Sequence, residues 1–155
     1  MTTSVRKASP TDAPVLGQLL FDFNTEFEVS TPQAASFAER FERLLAGSDL
    51  VAFLAEDTHG RATCFALLTL RPTPYFDGPL AQLEELYVLP HLRDQGIGTL
   101  LLDASLSYIR SLGLEEIHIG VDEIDTDTRR FYEHHGFVNV EPGQGYRMLM
   151  YLREL

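Results

Sequence analysis

The segment Arg93–Gly98 is the feature that most constrains how this chain folds. Its sequence, RDQGIG, follows the strand-like run Leu83–Leu89 and opens a long apolar stretch. A strand that enters a glycine loop and then a helix gathers backbone N–H groups at the helix N-terminus, where a phosphate or pyrophosphate can bind. The glycines permit positive φ and keep side chains away from such a ligand. The string R-x-x-G-x-G is weak evidence alone, so the rest of the chain decides what it means.

The composition is that of one globular domain covering residues 1–155, of which 45% are hydrophobic. No apolar run approaches the ~18 residues needed to cross a bilayer, and the first residues lack the apolar stretch of a secretory signal. The single cysteine, Cys64, lies in an apolar run and is expected to be buried rather than reactive. These features predict a cytoplasmic protein without a membrane partner.

The formal net charge of −11 restricts the partners of this chain. Nucleic acid is bound through basic patches, and the sequence contains none, so we expect no nucleic-acid partner. An acidic protein attracts cationic substrates, although the same charge is also explained by solubility alone.

Apolar periodicity and turn residues predict a mixed α/β fold. Hairpin connections alternate with crossover helices, which indicates a central mixed, largely antiparallel sheet of about six or seven strands with helices on both faces. The predicted strands cover 4–9, 50–55, 62–70, 83–89, 116–121, 137–140 and 146–152, and the predicted helices begin near Asp12 and Pro32 and cover 97–112 and 125–135.

Three segments together carry a family resemblance: Leu83–Leu89, Arg93–Gly98 and Phe131–Phe137. In this order the chain resembles the GNAT superfamily of acetyl-coenzyme A (acetyl-CoA) dependent N-acetyltransferases, over essentially its whole length. The run LEELYV is similar to the spermidine/spermine (diamine) N-acetyltransferase branch. The resemblance implies a GNAT-type fold, acetyl-CoA as cosubstrate, no metal, and an assembly that is compatible with a homodimer.

The resemblance also implies which residues bind the cosubstrate. Within Arg93–Thr99, the pyrophosphate is held by the backbone amides of Gln95, Gly96, Ile97, Gly98 and Thr99. The pantetheine arm runs beside Leu86, Tyr87 and Val88 as an added pseudo-strand.

Two positions depart from the family pattern. Asp94 stands where the loop often has glycine, so we expect its carboxylate to point toward solvent, away from a pyrophosphate. Asp125 stands where an asparagine is common. It can cap the helix that follows, but it cannot donate a hydrogen bond to the cosubstrate as an amide does.

Acetyl transfer to an amine needs a proton acceptor, because an alkylammonium with a pKa of ~10.4 is not a nucleophile at neutral pH. Glu84 is the candidate base, directly or through a water, and Glu85 is the second choice. Strand alternation places the two on opposite faces, so one at most would point at the substrate. Alternatively, Glu84 only orients or attracts the amine.

Tyr132 is the candidate acid for the departing thiolate, because a tyrosine hydroxyl is protonated at pH 7. Alternatively, Tyr132 is a packed core residue. The resemblance further implies that the amide of Val88 stabilises the thioester oxyanion.

The candidate acceptor-binding residues are Asp22, Glu26, Tyr75 and Glu85. Asp22 and Glu26 lie four residues apart on the first helix, and like charges at that spacing cost about 0.2–0.5 kcal/mol, so they invite a functional reason. Together with Glu28 they could attract a polyamine or another cation; otherwise they form a solvated acidic face. Tyr75, in the proline-rich loop 71–79, either packs on the body of the protein or lines a cleft.

Other functions are less consistent with the sequence. His134 and His135 point about 100° apart on a helix, which makes them a poor metal-chelating pair. A dinucleotide-binding oxidoreductase would need a third glycine where Leu101 stands. We expect acetyl transfer from acetyl-CoA to a primary amine of a small, cationic molecule through a ternary complex. The alternatives are a protein or peptide acetyltransferase and a non-catalytic acyl-CoA sensor.

Overall fold

The computed structural model describes residues 3–155, which divide into two compact units at residue 118. The first unit contains strands and helices that follow each other in the predicted order; the second contains one helix and an irregular tail. The elements are β1 (Ser4–Lys7), α1 (Ala13–Glu26), α2 (Ala34–Leu45), β2 (Leu50–Glu56), β3 (Ala62–Arg71), β4 (Leu80–Val88), α3 (Ile97–Ser111), β5 (Ile117–His118) and α4 (Thr126–His134).

The sheet of the first unit is mixed and largely antiparallel, as predicted. Its strand order is β1-β2-β3-β4-β5, with antiparallel pairing from β1 to β4 and a parallel pair between β4 and β5. It contains five strands rather than the six or seven that were expected. The last strand is also shorter than predicted, because β5 pairs with β4 only at Ile117 and His118.

The two final strands, predicted at 137–140 and 146–152, were wrong for the described chain. One backbone hydrogen bond joins these segments, from the Met148 amide to the Asn139 carbonyl at 2.6 Å, and a ladder needs several. Pro142 and Gly143, the latter at a φ of +84°, lie in the connection between them. The alternating apolar residues from Tyr146 to Leu152 are exposed, so they lack the buried face that fixes strand pairing.

Helices cover both faces of the sheet, as the sequence predicted. On one face, α1 and α2 bury side chains against the strands; this core contains Ala13, Leu16, Leu19, Phe41, Ala52, Leu54, Phe65, Leu67 and Tyr87. On the other face, α3 packs on the sheet, and its Tyr108 ring meets the Phe53 ring at 5.7 Å. The α1/α2 face of the sheet is therefore the one that carries Tyr87 of β4.

Helices α1 and α2 pack unusually closely at Gly17. A Cβ at this position would lie 2.7 Å from the Ala34 carbonyl oxygen and 2.8 Å from the Ala38 amide nitrogen, closer than real Cβ atoms come. Helix α2 begins at Ala34 after Gln33, whose side chain makes no capping hydrogen bond. The sequence predicted starts near Pro32 for α2 and near Asp12 for α1, and the helices begin at Ala34 and Ala13; neither Gln33 nor Asp12 makes a side-chain capping hydrogen bond to its helix.

A β-bulge in β4 changes which side chains share a face. Leu67 pairs with Glu85 and the next residue of β3, Leu68, pairs with Leu83, so Glu84 is the extra residue. Beyond this point the alternation resumes, and Tyr87 pairs with Phe65 in the α1/α2 core.

Candidate active site

The bulge places Glu84 and Glu85 on the same face of the sheet. Glu85 pairs with Leu67, which belongs to the α1/α2 core, so Glu85 lies on that face. Glu84 lies there too, because its Oε1 accepts a hydrogen bond at 2.5 Å from the Thr69 hydroxyl, which is two positions from Leu67 on β3. The expectation of opposite faces was wrong, because strict alternation fails at the extra residue.

The two carboxylates differ in their surroundings. Glu84 is exposed, whereas Glu85 is half-buried. Desolvation, followed by the charge of Glu84, raises the pKa of Glu85 to about 7. A carboxyl that titrates near neutral pH is matched to proton transfer under ordinary conditions.

Arg93 connects the start of the glycine loop to the end of α1. Its guanidinium lies 2.5 Å from a carboxylate oxygen of Glu26, and its Nε donates to the Val88 carbonyl at 3.0 Å. The Tyr87 hydroxyl donates to the same Glu26 carboxylate at 3.3 Å. The structure therefore brings together Glu26, Tyr87, Val88 and Arg93, which the sequence analysis had divided between acceptor and cosubstrate binding.

Tyr87 is held by its ring as well as by its hydroxyl. The ring is buried and packs on the Phe23 ring at a centroid distance of 5.0 Å. Burial, together with the carboxylate of Glu26, raises the pKa of Tyr87 to about 12. The hydroxyl thus stays protonated and serves as a donor to Glu26 in this arrangement.

The glycine loop has the backbone geometry of an anion cradle. Gly96 precedes α3 as its N-cap with a φ of +82°, and a Cβ built there would have open space within 4 Å. Since glycine has no side chain, the cap itself covers none of the first-turn amides of α3. Asp94 is exposed and also has a positive φ, +60°. Glycine adopts this conformation without steric cost, so it would fit this position.

Beside the loop, β4 has an unpaired edge on its β5 side. Among residues 3–155, β5 pairs with β4 only at Ala81 and Gln82, so the stretch Leu83–Val88 has no strand on that side. An extended ligand arm could therefore add to this edge by backbone hydrogen bonds. This edge includes Leu86, Tyr87 and Val88, the residues predicted to run beside the pantetheine arm.

The second unit carries the remaining predicted residues on α4. Asp125 caps this helix by accepting a hydrogen bond from the Thr128 amide at 3.2 Å, as predicted. Tyr132 is buried, and its ring meets the rings of Phe131 at 5.2 Å and Phe137 at 5.4 Å.

Neighbouring His134 and His135 have ring planes 84° apart, and His135 Nδ1 lies 2.8 Å from the Phe131 carbonyl oxygen. In the part of the chain that the structure describes, no three His, Cys, Asp or Glu side chains are grouped closely enough to hold a metal ion.

Other predicted residues lie apart from the carboxylate pair or have ordinary partners. Asp22 accepts a hydrogen bond from Gln18 at 2.8 Å, one turn earlier on α1. Tyr75 is 85% exposed, so it does not pack on the body of the protein. Cys64 is buried in β3, and desolvation raises the pKa of its thiol, as expected of a packing residue.

A cavity of about 630 Å³ opens at the opposite end of the sheet from the glycine loop. It is lined by the end of β1, the start of β2 and the end of β3, with Lys7 and Tyr108 among its residues. It contains none of the residues that the sequence analysis selected.

Thr69 and the pairing of Glu26 with Arg93 were not predicted from the sequence. Two consecutive charged residues in a buried strand break the period of two and are a signal for the bulge, but no local pattern identifies Thr69 as the partner of Glu84. The partners of Glu26 lie 61 and 67 residues away in the chain, and no local pattern identifies them.

Comparison with known proteins identifies the family of this chain. Residues 17–137 match the model of the Acetyltransferase (GNAT) family, which is most of the chain. The chain belongs to this family. It is an acyltransferase, and acetyltransferases of the GNAT family use acetyl-CoA.

Two curated relatives of this GNAT chain differ in how much they share with it. An aminoglycoside N(6')-acetyltransferase type 1 of Stenotrophomonas maltophilia is 28% identical over 149 residues, covering 94% of this chain and 92% of its own length. A mycothiol acetyltransferase of Thermobispora bispora is 39% identical over 61 residues, which are 39% of this chain and 21% of that protein. The chain thus spans about a fifth of the length of the second relative.

Solved structures share the whole fold. A crystal structure of a protein assigned as an acetyltransferase, from Arthrobacter sp. FB24, has a TM-score of 0.91 and 46% identity, covering 98% of this chain and 96% of that one. An aminoglycoside acetyltransferase from an uncultured soil metagenomic sample, in complex with sisomicin, has a TM-score of 0.80 and 22% identity over 99% and 96% of the two chains. The latter similarity concerns the fold alone.

The residues present fit the diphosphate of acetyl-CoA. Gly96 leaves space for a close approach to the backbone at the α3 N-terminus, and the helix dipole favours an anion there. Asp94 is the one residue of this loop whose charge opposes an anion, and it is exposed.

Among the described residues, no helix has both the length and the apolar character needed to cross a bilayer.

Proposed function

We propose that this chain transfers the acetyl group of acetyl-CoA to a primary amine of a small, cationic molecule by direct attack in a ternary complex. The observation that carries the proposal is the bulged part of β4, where Glu84 and Glu85 share one face on the strand that leads to the glycine loop. Two neighbouring carboxylates attract an ammonium group and can accept its proton. The net charge of −11 favours the approach of a cation.

The relatives bear on the class of acceptor. Their names are those of aminoglycoside and mycothiol acetyltransferases, which favours an amine carried by a sugar-like molecule over the linear polyamine of the diamine branch. Glu26, the predicted acceptor residue on α1, is occupied by Arg93 and Tyr87, so the acceptor amine is expected at the β4 carboxylates instead.

The carboxylate pair supplies the base. We infer that Glu84, the first candidate, and Glu85, whose pKa is about 7, together hold the ammonium and accept one of its protons, directly or through a water. The neutral amine attacks the thioester carbonyl, forming the N–C bond, and the C–S bond then breaks. A base with a matched pKa contributes about 10²–10⁴-fold to such a step.

We infer that the leaving group is protonated by Tyr132. Its hydroxyl gives a proton to the departing thiolate. The nitrogen loses a second proton as the amide forms, and this proton returns to the tyrosine oxygen. The open edge of β4 supports backbone pairing of Leu86–Val88 with the pantetheine arm, and the Val88 amide is proposed to stabilise the oxyanion. The acetyl group is supplied by acetyl-CoA bound with its diphosphate at Gln95–Thr99.

A thiol-release assay tests the proposal. Acetyl-CoA is incubated with the protein and a panel of aminoglycosides, alkyl polyamines, amino acids and peptides, and the acetylated product is identified by mass spectrometry. We expect release with small cationic amines at a rate that falls when salt is raised. Release with peptides alone would make the chain a peptide acetyltransferase. Tight acetyl-CoA binding with no release for any amine would indicate an acyl-CoA sensor and contradict the proposal.

A further inference from the structure

We propose that Thr69 is a positioning residue for this reaction: its hydroxyl holds Glu84 beside Glu85, so that the bulged strand presents both carboxylates to the acceptor amine together. The inference rests on the proposed acetyl transfer, but the Thr69 contact itself can be tested without any substrate.

The position of Thr69 is diagonal to the bulge. In the register of the sheet Thr69 pairs with Gln82, two residues before Glu84, and Glu84 has no pairing partner in β3. A bulged residue lacks the cross-strand neighbour that normally fixes a side chain. The 2.5 Å hydrogen bond from Thr69 Oγ1 to Glu84 Oε1 supplies that restraint and leaves Glu84 on the face of Glu85.

The position of the Glu84 carboxylate affects the pKa of Glu85. Glu84 is the charged group that acts on Glu85, where its repulsion adds to desolvation. Of the other charged groups on this face, Asp22 and Glu26 of α1 and the guanidinium of Arg93 act on Tyr87 farther along β4. Arg6 of β1 is paired with Asp12 and Glu56, and Arg71 lies two positions beyond Thr69 at the exposed end of β3. If Glu84 swings toward solvent, the repulsion weakens and the pKa of Glu85 falls.

The first test is a titration of the free protein. Glutamate carboxyl carbons labelled with ¹³C are followed by NMR in the wild type and in Thr69→Val, which removes the hydroxyl and keeps the shape. We expect the pKa of Glu85 to fall below its value of about 7 in Thr69→Val, with the larger contribution from desolvation remaining, and to be retained in Thr69→Ser. An unchanged Glu85 titration in a folded Thr69→Val protein overturns the inference.

A double-mutant cycle identifies the route of the effect. In the Glu84→Gln background, Thr69→Val should produce no further change in the Glu85 titration, because the charge that Thr69 positions is gone. The matched control is Thr63→Val on the same strand, whose hydroxyl donates to the Ala55 carbonyl at 3.3 Å, and which should leave Glu85 unaffected. An equal Thr69 effect with and without Glu84 contradicts a role through Glu84.

The second test is kinetic and uses acetyl-CoA with an aminoglycoside as the acceptor amine. Thr69→Val should raise KM for the aminoglycoside at least threefold and move the acid limb of kcat/KM to lower pH, and Thr69→Ser should restore both. A purely structural role would lower the amount of active protein without moving the pH profile. If NMR confirms the tether but neither KM nor the profile changes, the positioning role is overturned. If the wild type acetylates no amine, the proposed function fails instead.

Discussion

The Arg93 guanidinium lies 2.5 Å from the Glu26 carboxylate, a residue 67 positions earlier in the chain. This ion pair ties the C-terminal end of α1 to the beginning of the glycine loop. It also satisfies Glu26, which looks on the sequence like one member of an unpaired acidic face. The loop that is proposed to bind the cosubstrate is therefore linked directly to the first helix.

Removal of this link should lower the free energy of unfolding modestly. The pair is partly exposed, so we expect Arg93→Ala to cost about 1 kcal/mol, including the lost hydrogen bond to the Val88 carbonyl. Urea unfolding measures the change. Arg130→Ala is the matched control, because its pair with Asp127 is highly exposed and should contribute almost nothing. Equal losses in the two variants would contradict a structural role for the Glu26–Arg93 pair.

Gly96→Val should weaken binding of coenzyme A at least tenfold. The new side chain would project into the cradle, and a β-branched residue does not readily adopt a φ of +82°. Calorimetry measures the affinity, and Gly113→Val is the control, since Gly113 has a φ of +76° beyond the C-terminal end of α3, at the opposite end of this helix from Gly96. The control should lose stability without losing affinity. Unchanged affinity in Gly96→Val would show that the diphosphate binds elsewhere.

Asp94→Gly should increase both stability and affinity for coenzyme A. Glycine relieves the cost of a positive φ, about 1 kcal/mol, and removes a negative charge from the edge of an anion site. Glu28→Gly provides the comparison, because Glu28 also has positive φ, +55°, but lies outside the loop. Thermal melts should show a gain in both variants, and calorimetry should show tighter binding in Asp94→Gly alone. Weaker binding in Asp94→Gly would assign the carboxylate a direct role.

Tyr132→Phe should reduce turnover about tenfold or more with little change in coenzyme A affinity. The substitution keeps the ring contacts with Phe131 and Phe137 and removes the proposed proton donor. Steady-state kinetics and calorimetry separate the two effects. Tyr146→Phe, at an exposed tyrosine of the tail, should have wild-type turnover. Full activity in Tyr132→Phe would leave Tyr132 as a packing residue.

Glu85→Gln should be more stable than the wild type at pH 8 and equally stable near pH 4. The folded state retains the Glu85 proton up to a pKa of about 7, whereas the unfolded chain loses it near the ordinary value of 4.5. Wild-type stability therefore falls as pH rises between these values, because the unfolded state binds fewer protons there. With solvent screening of the half-buried group, we expect a difference of about 1–2 kcal/mol.

Urea unfolding across this pH range measures the Glu85→Gln difference, with Glu39→Gln, at an exposed position of α2, as control. If the difference in unfolding free energy between Glu85→Gln and wild type does not vary with pH, the Glu85 carboxyl is hydrated and its pKa is not raised.

Local patterns were sufficient for most of the fold. The order of strands and helices as far as α4 follows from apolar periodicity and from glycines such as Gly96 and Gly113, both at positive φ. The family followed from three short segments, because a strand, a glycine loop and a Phe-Tyr helix occur together in that order.

Pairing between distant residues was not predictable in the same way. The segment 146–152 has the alternation of a strand, but a strand also needs a partner along its length, and the pattern carries no information about that. Thr69 and Glu84 are 15 residues apart, and their contact depends on the register of two strands. The faces of Glu84 and Glu85 were mispredicted for the same reason.

The bulge in β4 also limits how this strand can evolve. It lets Glu84 and Glu85 share the α1/α2 side while Tyr87 remains in the core. Deletion of the Glu84 codon would turn the bulge into a regular ladder, because Leu83 already pairs with Leu68 and Glu85 with Leu67. The core would keep its pattern and the site would lose one of its two carboxylates, so the length of β4 is fixed by the proposed chemistry rather than by the core.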